Sequence, residues 1–466
     1  MKVSASLLAA AMVAAAAGPA RAGGMVLDSR GVRPTARAGA FVAGADDLGA
    51  FWFNPAGLAH LADTDESSGH AGKKDFFLFD AAWVSQAVTY TRIDSGYNQL
   101  AAVKNSAPGL PIPSIAYAHK LSDRLVIGGG VWAPYAGLTK FPIDGPQRYS
   151  SADLSESTLF VIAAGVGYKL TDKIRVGATV QNMSFLLSSS VVFGGCPGQT
   201  LCGPEDPEFD AQTKVTQNSW FVPSASAGAQ IDLAPKVTFG ASFQAPYKIT
   251  GKGKVATVLP SSGFYNGASV DGDEADVSFT MPASVRAGIE VRPGHWRVEG
   301  AIDYELWREH KNMTIDPKNV SIVNAPGVGT YELGEIVIPR EYNNSFAAML
   351  GVEGQILADV PLHVLAGIDY ETAAAPDQYL SVLTVDGKKT GFHGGITYQM
   401  GKWRLDAMLS FWKMTDRTVD PSVGVAPQLT PLRDNADSSD QLPVYVNWGT
   451  YQSSWLAAGL GLSTAW

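Results

Sequence analysis

Ser284-Val285-Arg286-Ala287-Gly288-Ile289-Glu290-Val291, a turn at Pro293-Gly294, and then Trp296-Arg297-Val298-Glu299-Gly300-Ala301-Ile302-Asp303-Tyr304-Glu305-Leu306 decide the fold. Val285, Ala287, Ile289 and Val291 alternate with Arg286, Gly288, Glu290 and Arg292. Trp296, Val298, Gly300, Ile302, Tyr304 and Leu306 alternate in the same way with Arg297, Glu299, Ala301, Asp303 and Glu305. Period two marks a strand with one apolar face. Runs of about 8 to 11 residues exceed the usual 5 to 6 of globular strands. Charges of both signs on the opposite face suit a polar lumen.

The same alternation recurs in Trp403, Leu405, Ala407, Leu409 and Phe411, with Arg404 and Asp406 facing the other way. It predicts fourteen strands, at 78–93, 112–121, 124–134, 156–170, 173–190, 217–232, 236–256, 274–291, 295–315, 338–357, 361–373, 388–400, 403–417 and 452–466. An even count is what a closed bacterial barrel requires.

The connections alternate as well. Ser122-Asp123, Thr171-Asp172, Leu233-Ala234-Pro235, Pro293-Gly294, 358–360 and Gly401-Lys402 are tight turns. Between them fall long connections at 94–111, 135–155, 191–216, 257–273, 316–337, 374–387 and 418–451. Short periplasmic turns and long external loops are the rule for outer-membrane barrels. A large secreted β-sandwich shares the composition but has no reason to sort its loops by parity. The pattern places both chain ends on the periplasmic side and the loops 191–216 and 418–451 outside. The last strand agrees: Leu456, Ala458, Leu460, Leu462, Thr464 and Trp466 lie on one face, and the chain ends in an aromatic residue.

The N-terminus reads as an export signal over 1–22. Lys2 is followed by an apolar run from Leu7 to Ala17, and Ala20-Arg21-Ala22 fits small-x-small cleavage. That run is shorter than the ~20 residues a membrane helix needs. Without Lys2 and Arg21 the chain keeps 33 basic residues against 44 acidic ones. An acidic chain with no basic run argues against nucleic acid as a partner. Gly 49, Trp 11, Tyr 16 and Phe 19, with 17% charged residues, suit barrel strands and interfacial aromatic girdles.

Between the signal and the first strand stand Arg37-Ala38-Gly39-Ala40, Ala45-Asp46-Asp47 and Asn54-Pro55-Ala56-Gly57-Leu58. Small residues, paired carboxylates and a proline turn suit a compact plug. This block resembles the N-terminal hatch of the FadL/TodX family of outer-membrane transporters for hydrophobic molecules. Pro113-Ser114-Ile115-Ala116-Tyr117, Leu121-Ser122-Asp123-Arg124-Leu125 and Gly128-Gly129-Gly130-Val131-Trp132-Ala133-Pro134-Tyr135 are similar to its second and third strands. Tyr168-Lys169-Leu170-Thr171-Asp172-Lys173 resembles the next hairpin, Phe279-Thr280-Met281-Pro282-Ala283-Ser284 with Trp307 its middle, and Asn447-Trp448-Gly449-Thr450-Tyr451 its end.

The resemblance implies an all-β, 14-stranded antiparallel transmembrane β-barrel over 78–466, plugged by a hatch over 23–77. It implies a monomeric passive channel for long-chain fatty acids, with monoaromatic hydrocarbons as the alternative cargo. The cargo would pass from a groove between external loops to a pocket beside the hatch, and leave sideways into the membrane through a kink in the third strand. Asn54, Pro55, Ala56 and Gly57 would form the plug; Gly128, Gly129, Gly130 and Pro134 would belong to the lateral opening. Outer-membrane lipid and lipopolysaccharide would surround the barrel, and the barrel-assembly machinery would insert it.

Two sets of residues carry two readings each. Phe51, Trp52 and Phe53 either line the ligand pocket or pack the plug against the wall. Val258, Leu259, Phe264 and Tyr265 either contact ligand in the 257–273 loop or pack loop on loop across the mouth. Cys196 and Cys202, the only cysteines, read as a disulfide stapling the 191–216 loop in an exported chain, with a metal pair as the alternative. The acidic run Asp271-Gly272-Asp273-Glu274-Ala275-Asp276 departs from the calcium-loop spacing and reads as solvated surface.

No His-Glu-x-x-His, nucleophile elbow or phosphate loop appears among the residues. No enzymatic activity, metal or cofactor is therefore expected. A general porin and an outer-membrane lipid hydrolase are the rival readings, and a secreted adhesin is the fallback if the protein leaves the outer membrane.

Overall fold

The computed structural model describes residues 30–64, 70–136, 138–196, 201–203, 205–326, 329–357, 359–431 and 444–466. The expected signal peptide at 1–22 lies outside them. Fourteen antiparallel strands close into one barrel. They are β1 (Asp75–Arg92), β2 (Leu110–Ser122), β3 (Leu125–Ala136), β4 (Thr158–Lys169), β5 (Ile174–Gly194), β6 (Asp210–Ala234) and β7 (Val237–Gln244, resuming as Tyr247–Val258). The circuit continues through β8 (Glu274–Met281 and Ser284–Val291), β9 (Trp296–Glu305 and Asn312–Lys318) and β10 (Ile336–Pro339 and Ser345–Gln355). It ends with β11 (Leu362–Glu371), β12 (Lys389–Met400), β13 (Trp403–Met414) and β14 (Gly449–Ala465). β1 pairs with β14 from Phe76 opposite Ala465 to Arg92 opposite Gly449, which closes the circuit and leaves no free edge.

Every expected strand is present, with shifted bounds. β5 and β6 are longer than the alternation suggested, because Val191, Val192 and Phe193 pair with Thr213, Gln212 and Ala211 and extend the hairpin toward the loop rim. Short and long connections alternate, so the barrel has a turn rim and a loop rim. Both the start of β1 and the end of β14 lie at the turn rim. A three-stranded sheet of Ser269–Asp271, Ser321–Ala325 and Gly329–Glu332 sits among the long loops.

The two faces of the wall follow the period-two reading. Arg286, Glu290, Glu299 and Asp303 are buried toward the lumen. Val285, Ile302, Tyr304, Leu409 and Leu460 project outward and are exposed. An apolar exterior around a polar interior is the reverse of a globular domain and belongs in a membrane.

Four strands are interrupted at one height. β7 breaks after Gln244, β8 before Ser284, β9 after Glu305 and β10 before Ser345. Ser284 is directly opposite both Gln244 and Glu305, and Glu305 is opposite Ser345. Pro246 and Pro282 sit in the first two breaks. Neither has an N–H to give to a ladder.

Candidate functional site: the hatch in the lumen

The hatch is a short α1 (Val32–Ala36), a loop, α2 (Ala50–Phe53) and a 3-10 helix at Pro55–Ala62. Arg37 ends α1, and Ala38 and Gly39 follow with positive φ of 57° and 77°, turning the chain back. Small side chains at that turn keep the strain low. Asn54 caps the 3-10 helix: its Oδ1 accepts from Ala56 N–H at 3.2 Å, and Pro55 occupies the first helical position, where no N–H is needed. Asn54 Nδ2 also donates to Val42 O at 2.9 Å and to Ala229 O of β6 at 3.1 Å. One side chain thus ties the turn, the hatch loop and the wall together.

Glycines on the wall make room for this helix. Gly167, Gly177 and Gly228 are neighbours across β4, β5 and β6. A Cβ at Gly177 would lie 2.2 Å from the Pro55 carbonyl, and one at Gly228 would lie 2.0 Å from Asn54 Oδ1. The three form a furrow into which Asn54, Pro55, Ala56, Leu58 and Ala59 are laid.

Charge holds the rest of the hatch. The Glu299 carboxylate accepts three successive backbone N–H groups, from Val42, Ala43 and Gly44, at 2.7, 2.8 and 2.9 Å. Gln230 Nε2 donates to the carbonyls of Val42, Ala43 and Ala45, each at 3.1 Å. Arg37, fully buried, reaches Glu290 at 2.9 Å, Glu353 at 3.3 Å and Glu299 at 3.4 Å. Arg33 binds Asp46 at 2.6 Å, Asp47 at 2.9 Å and Glu353 at 2.9 Å. Arg297 meets Asp46, and Arg404 meets Asp47 at 2.8 Å. Burial opposes ionisation of Asp46 and Asp47. Arg297 and Arg33 at Asp46, and Arg404 and Arg33 at Asp47, outweigh it and hold both carboxyls below the usual range. These wall charges were seen in the sequence only as a polar face. The one local hint was the four-residue spacing of Arg33 and Arg37, which places both on one side of α1.

Phe51, Trp52 and Phe53 are buried. Phe53 packs edge-on against Phe41 at 5.8 Å between centroids, and Trp52 lies under the Arg30 guanidinium at 4.1 Å. Phe51 packs on Trp132 of β3 at 5.7 Å. Trp132 in turn lines a cavity of about 30 Å³, together with Val32, Val84, Ile112, Ala133, Met408 and Trp412, so Phe51 backs that cavity at one remove. A charged cavity of about 580 Å³ lies on the turn-rim side, lined by Arg33, Asp46, Asp47, Arg297 and Arg404 among others.

Gly128, Gly129 and Gly130 stand in continuous pairing with β2 and β4. The irregularity starts after them. Pairing of β2 with β3 stops at Ser114 opposite Trp132, leaving Leu110 to Pro113 without partners on β3. Against β4, Trp132 opposes Val161 and Tyr135 opposes Leu159, so β3 carries an extra residue at Ala133-Pro134.

The loop residues gather elsewhere. Cys196 and Cys202 are disulfide-bonded and form one buried cluster with Phe209 and Tyr265, with Leu259 and Phe264 packed against it. Val258 is exposed. Tyr265 O–H donates to Gly195 O at 2.5 Å. Asp273 of the acidic run is paired with Lys254 at 2.6 Å. Among the described residues no group of His, Cys, Asp and Glu is arranged to hold a metal.

A sequence comparison with curated proteins returns no match. Among solved structures, a Pseudomonas aeruginosa FadL homologue superposes with a TM-score of 0.73 at 14% identity, covering 95% of this chain and 99% of its own. The Ralstonia pickettii toluene transporter TbuX gives 0.61 at 18% identity, covering 94% and 99%. The P. putida toluene transporter TodX gives 0.59 at 17% identity, again over 94% and 99%. Residues 13–439 match the model of the outer membrane protein transport protein family (OMPP1/FadL/TodX). The chain, a plugged fourteen-strand barrel, belongs to this family of outer-membrane transporters.

Proposed function

We propose that the protein carries hydrophobic small molecules across the outer membrane and releases them sideways through the barrel wall, with the turn rim facing the periplasm. Long-chain fatty acids are the first candidate cargo and monoaromatic hydrocarbons the alternative. The observation that carries this reading is the pairing of a filled lumen with a break in the wall. The hatch blocks an axial aqueous path, while the stretch of β2 left unpaired by β3 borders a largely apolar cavity, with Arg30, Asp80 and Ser114 also on its wall, that the hatch residue Val32 lines too.

Physical chemistry favours such a route. An apolar cargo gains about 25 cal/mol for each Å² kept from water. A water-filled pore would forfeit that gain. The cavity, at about 30 Å³, has room for little more than a water molecule. Cargo entry therefore needs the Trp132 and Trp412 rings to move, as expected of a passive gate.

The test is uptake of radiolabelled oleate and of toluene by cells with and without the gene, beside planar-bilayer recording of the purified protein. Gene-dependent uptake with no large steady ion conductance is expected. A large steady conductance would make the protein a general porin. Release of fatty acid from phospholipid by the purified protein would make it a hydrolase. Mass spectrometry of lipid that co-purifies with the chain decides between the two cargoes.

A further inference from the structure

The wall has a second break, four strands round the barrel from the first. β6 and β7 are in register at both ends of it: Gln217 lies opposite Gly253, and Ser226 opposite Gln244. Nine residues separate these pairs on each strand, so the ladder stops and resumes without slipping. Within the stretch one backbone bond persists, Ala245 N–H to Ala225 O at 2.9 Å.

The sequence accounts for the break. The Ala245–Ala225 bond sets the odd residues of this part of β6 toward β7. Pro223 is next in that row and has no N–H. Just beyond it Met183 opposes Val222 and Phe185 opposes Ser219, so Trp220 and Phe221 form a bulge against β5. Both rings point outward, 63% and 77% exposed. Pro246 interrupts β7 at the same level.

Side chains finish what the ladder leaves open. Gln244 Nε2 donates to Ser224 Oγ at 3.0 Å and to Ala225 O at 3.3 Å. Ser224 Oγ donates to Ala245 O at 2.9 Å, and Ser219 Oγ to Thr250 O at 3.3 Å. Asn182 serves the bulge, donating to Trp220 O and accepting from Val222 N–H, both at 2.9 Å. An unpaired backbone group facing hydrocarbon is strongly unfavourable. A break furnished with these partners is a built feature of the wall. Behind it Met183, Val222, Tyr247 and Ile249 are buried, and the Tyr247 hydroxyl donates to Gln181 Oε1 across the inner side.

We propose that the gap between β6 and β7 is a second lateral portal, a slot for an extended acyl chain, with Tyr247 as its gate. This rests on the transport reading above. The slot's shape narrows the cargo: between the bridges at Ala245 and Thr250, residues 246 to 249 span about 13 Å at roughly 3.3 Å each, a slit along the strands that suits an extended single chain better than a compact ring.

The experiment staples each break in turn and follows oleate uptake by cells expressing the full chain. Trp220→Cys with Thr250→Cys are opposite in register across this gap, and Pro113→Cys with Ala133→Cys across the first. Each pair is compared oxidised and reduced, with the unaltered protein under the same reductant as the control for Cys196–Cys202. Oxidising the β6–β7 pair is expected to lower uptake several-fold, with recovery on reduction, and Tyr247→Ala is expected to raise it. If the oxidised β6–β7 pair, verified by mass spectrometry, leaves uptake unchanged while the β2–β3 pair abolishes it, the second portal is wrong and the transport reading stands. If the unaltered protein gives no uptake above cells without the gene, both fall.

Discussion

The Glu299 carboxylate on β9 accepts the Val42 backbone N–H at 2.7 Å, across 257 positions of sequence. The same group takes the next two N–H groups and lies 3.4 Å from Arg37. Removing it leaves three buried donors and one buried cation short of a partner. Breaking a buried pair in this way costs on the order of 3–5 kcal/mol. Glu299→Ala should therefore loosen the hatch without disturbing the barrel. Planar-bilayer recordings should show intermittent ion currents absent from the unaltered protein, and Glu299→Gln, which keeps an acceptor, should show fewer. Silent recordings from Glu299→Ala would mean that the hatch does not depend on this cradle.

The glycine furrow gives a steric counterpart. A Cβ at Gly177 meets the Pro55 carbonyl at 2.2 Å, and that partner is backbone, so no flexible side chain can yield. Gly177→Leu should displace the 3-10 helix at a cost of about 1–3 kcal/mol, the usual range for overpacking. The barrel should still form, because the altered position faces the lumen and leaves the ladder intact. Limited proteolysis is the measurement: the hatch should become cleavable while the barrel core stays resistant. Equal resistance in both proteins would show that the helix is not seated as described.

Acid should act on the same lock. Asp46 and Asp47 are held below the usual carboxylate range, burial opposing the charge but Arg297, Arg404 and Arg33 outweighing it. A depressed pKa contributes stability that is fully present above the unfolded value, about 3.9, and is lost as pH falls through the folded one. The hatch should hold unchanged from neutral pH to about pH 4, and ion currents should appear only below that. Currents that start near pH 6 would point to a histidine instead.

The sequence disclosed the wall far better than its contents, for physical reasons. Period two depends on near neighbours, so Val285 outward and Arg286 inward could be read from a few residues. The loop parity needed only strand ends. The hatch was legible at Asn54-Pro55, where a cap and a fixed φ act within two residues. Its ion pairs were not, because Arg37 meets Glu290 and Glu353 more than 250 residues away. The wall breaks were half legible. Pro223, Pro246 and Pro282 stood in plain view, but each lies inside a run whose apolar phase looks continuous. Only pairing shows that Pro246 and Pro282 fall at the same height on adjacent strands. The glycines and the proline of β3 drew attention to this strand; its register departs at Ala133-Pro134, while Gly128 to Gly130 stay within the ladder.

The loop disulfide joins two residues six apart and seals a cluster in which Phe209 and Tyr265 are buried and Phe264 packs alongside. A bridge across so short a loop stabilises by about 2 kcal/mol on loop-closure grounds. Cys196→Ser should accordingly leave the barrel's melting temperature nearly unchanged, because the wall is held by its ladder and the hatch by its charges. Its effect should fall on the loop rim. Without the bridge, Tyr265 loses a fixed acceptor at Gly195 O, and the segment carrying Val258, Leu259 and Phe264 gains freedom. If that segment guides cargo into the barrel, the half-saturating cargo concentration for whole-cell uptake should rise while the maximal rate holds. A fall in maximal rate at unchanged half-saturation would place the effect on the gate and remove these loop residues from cargo capture.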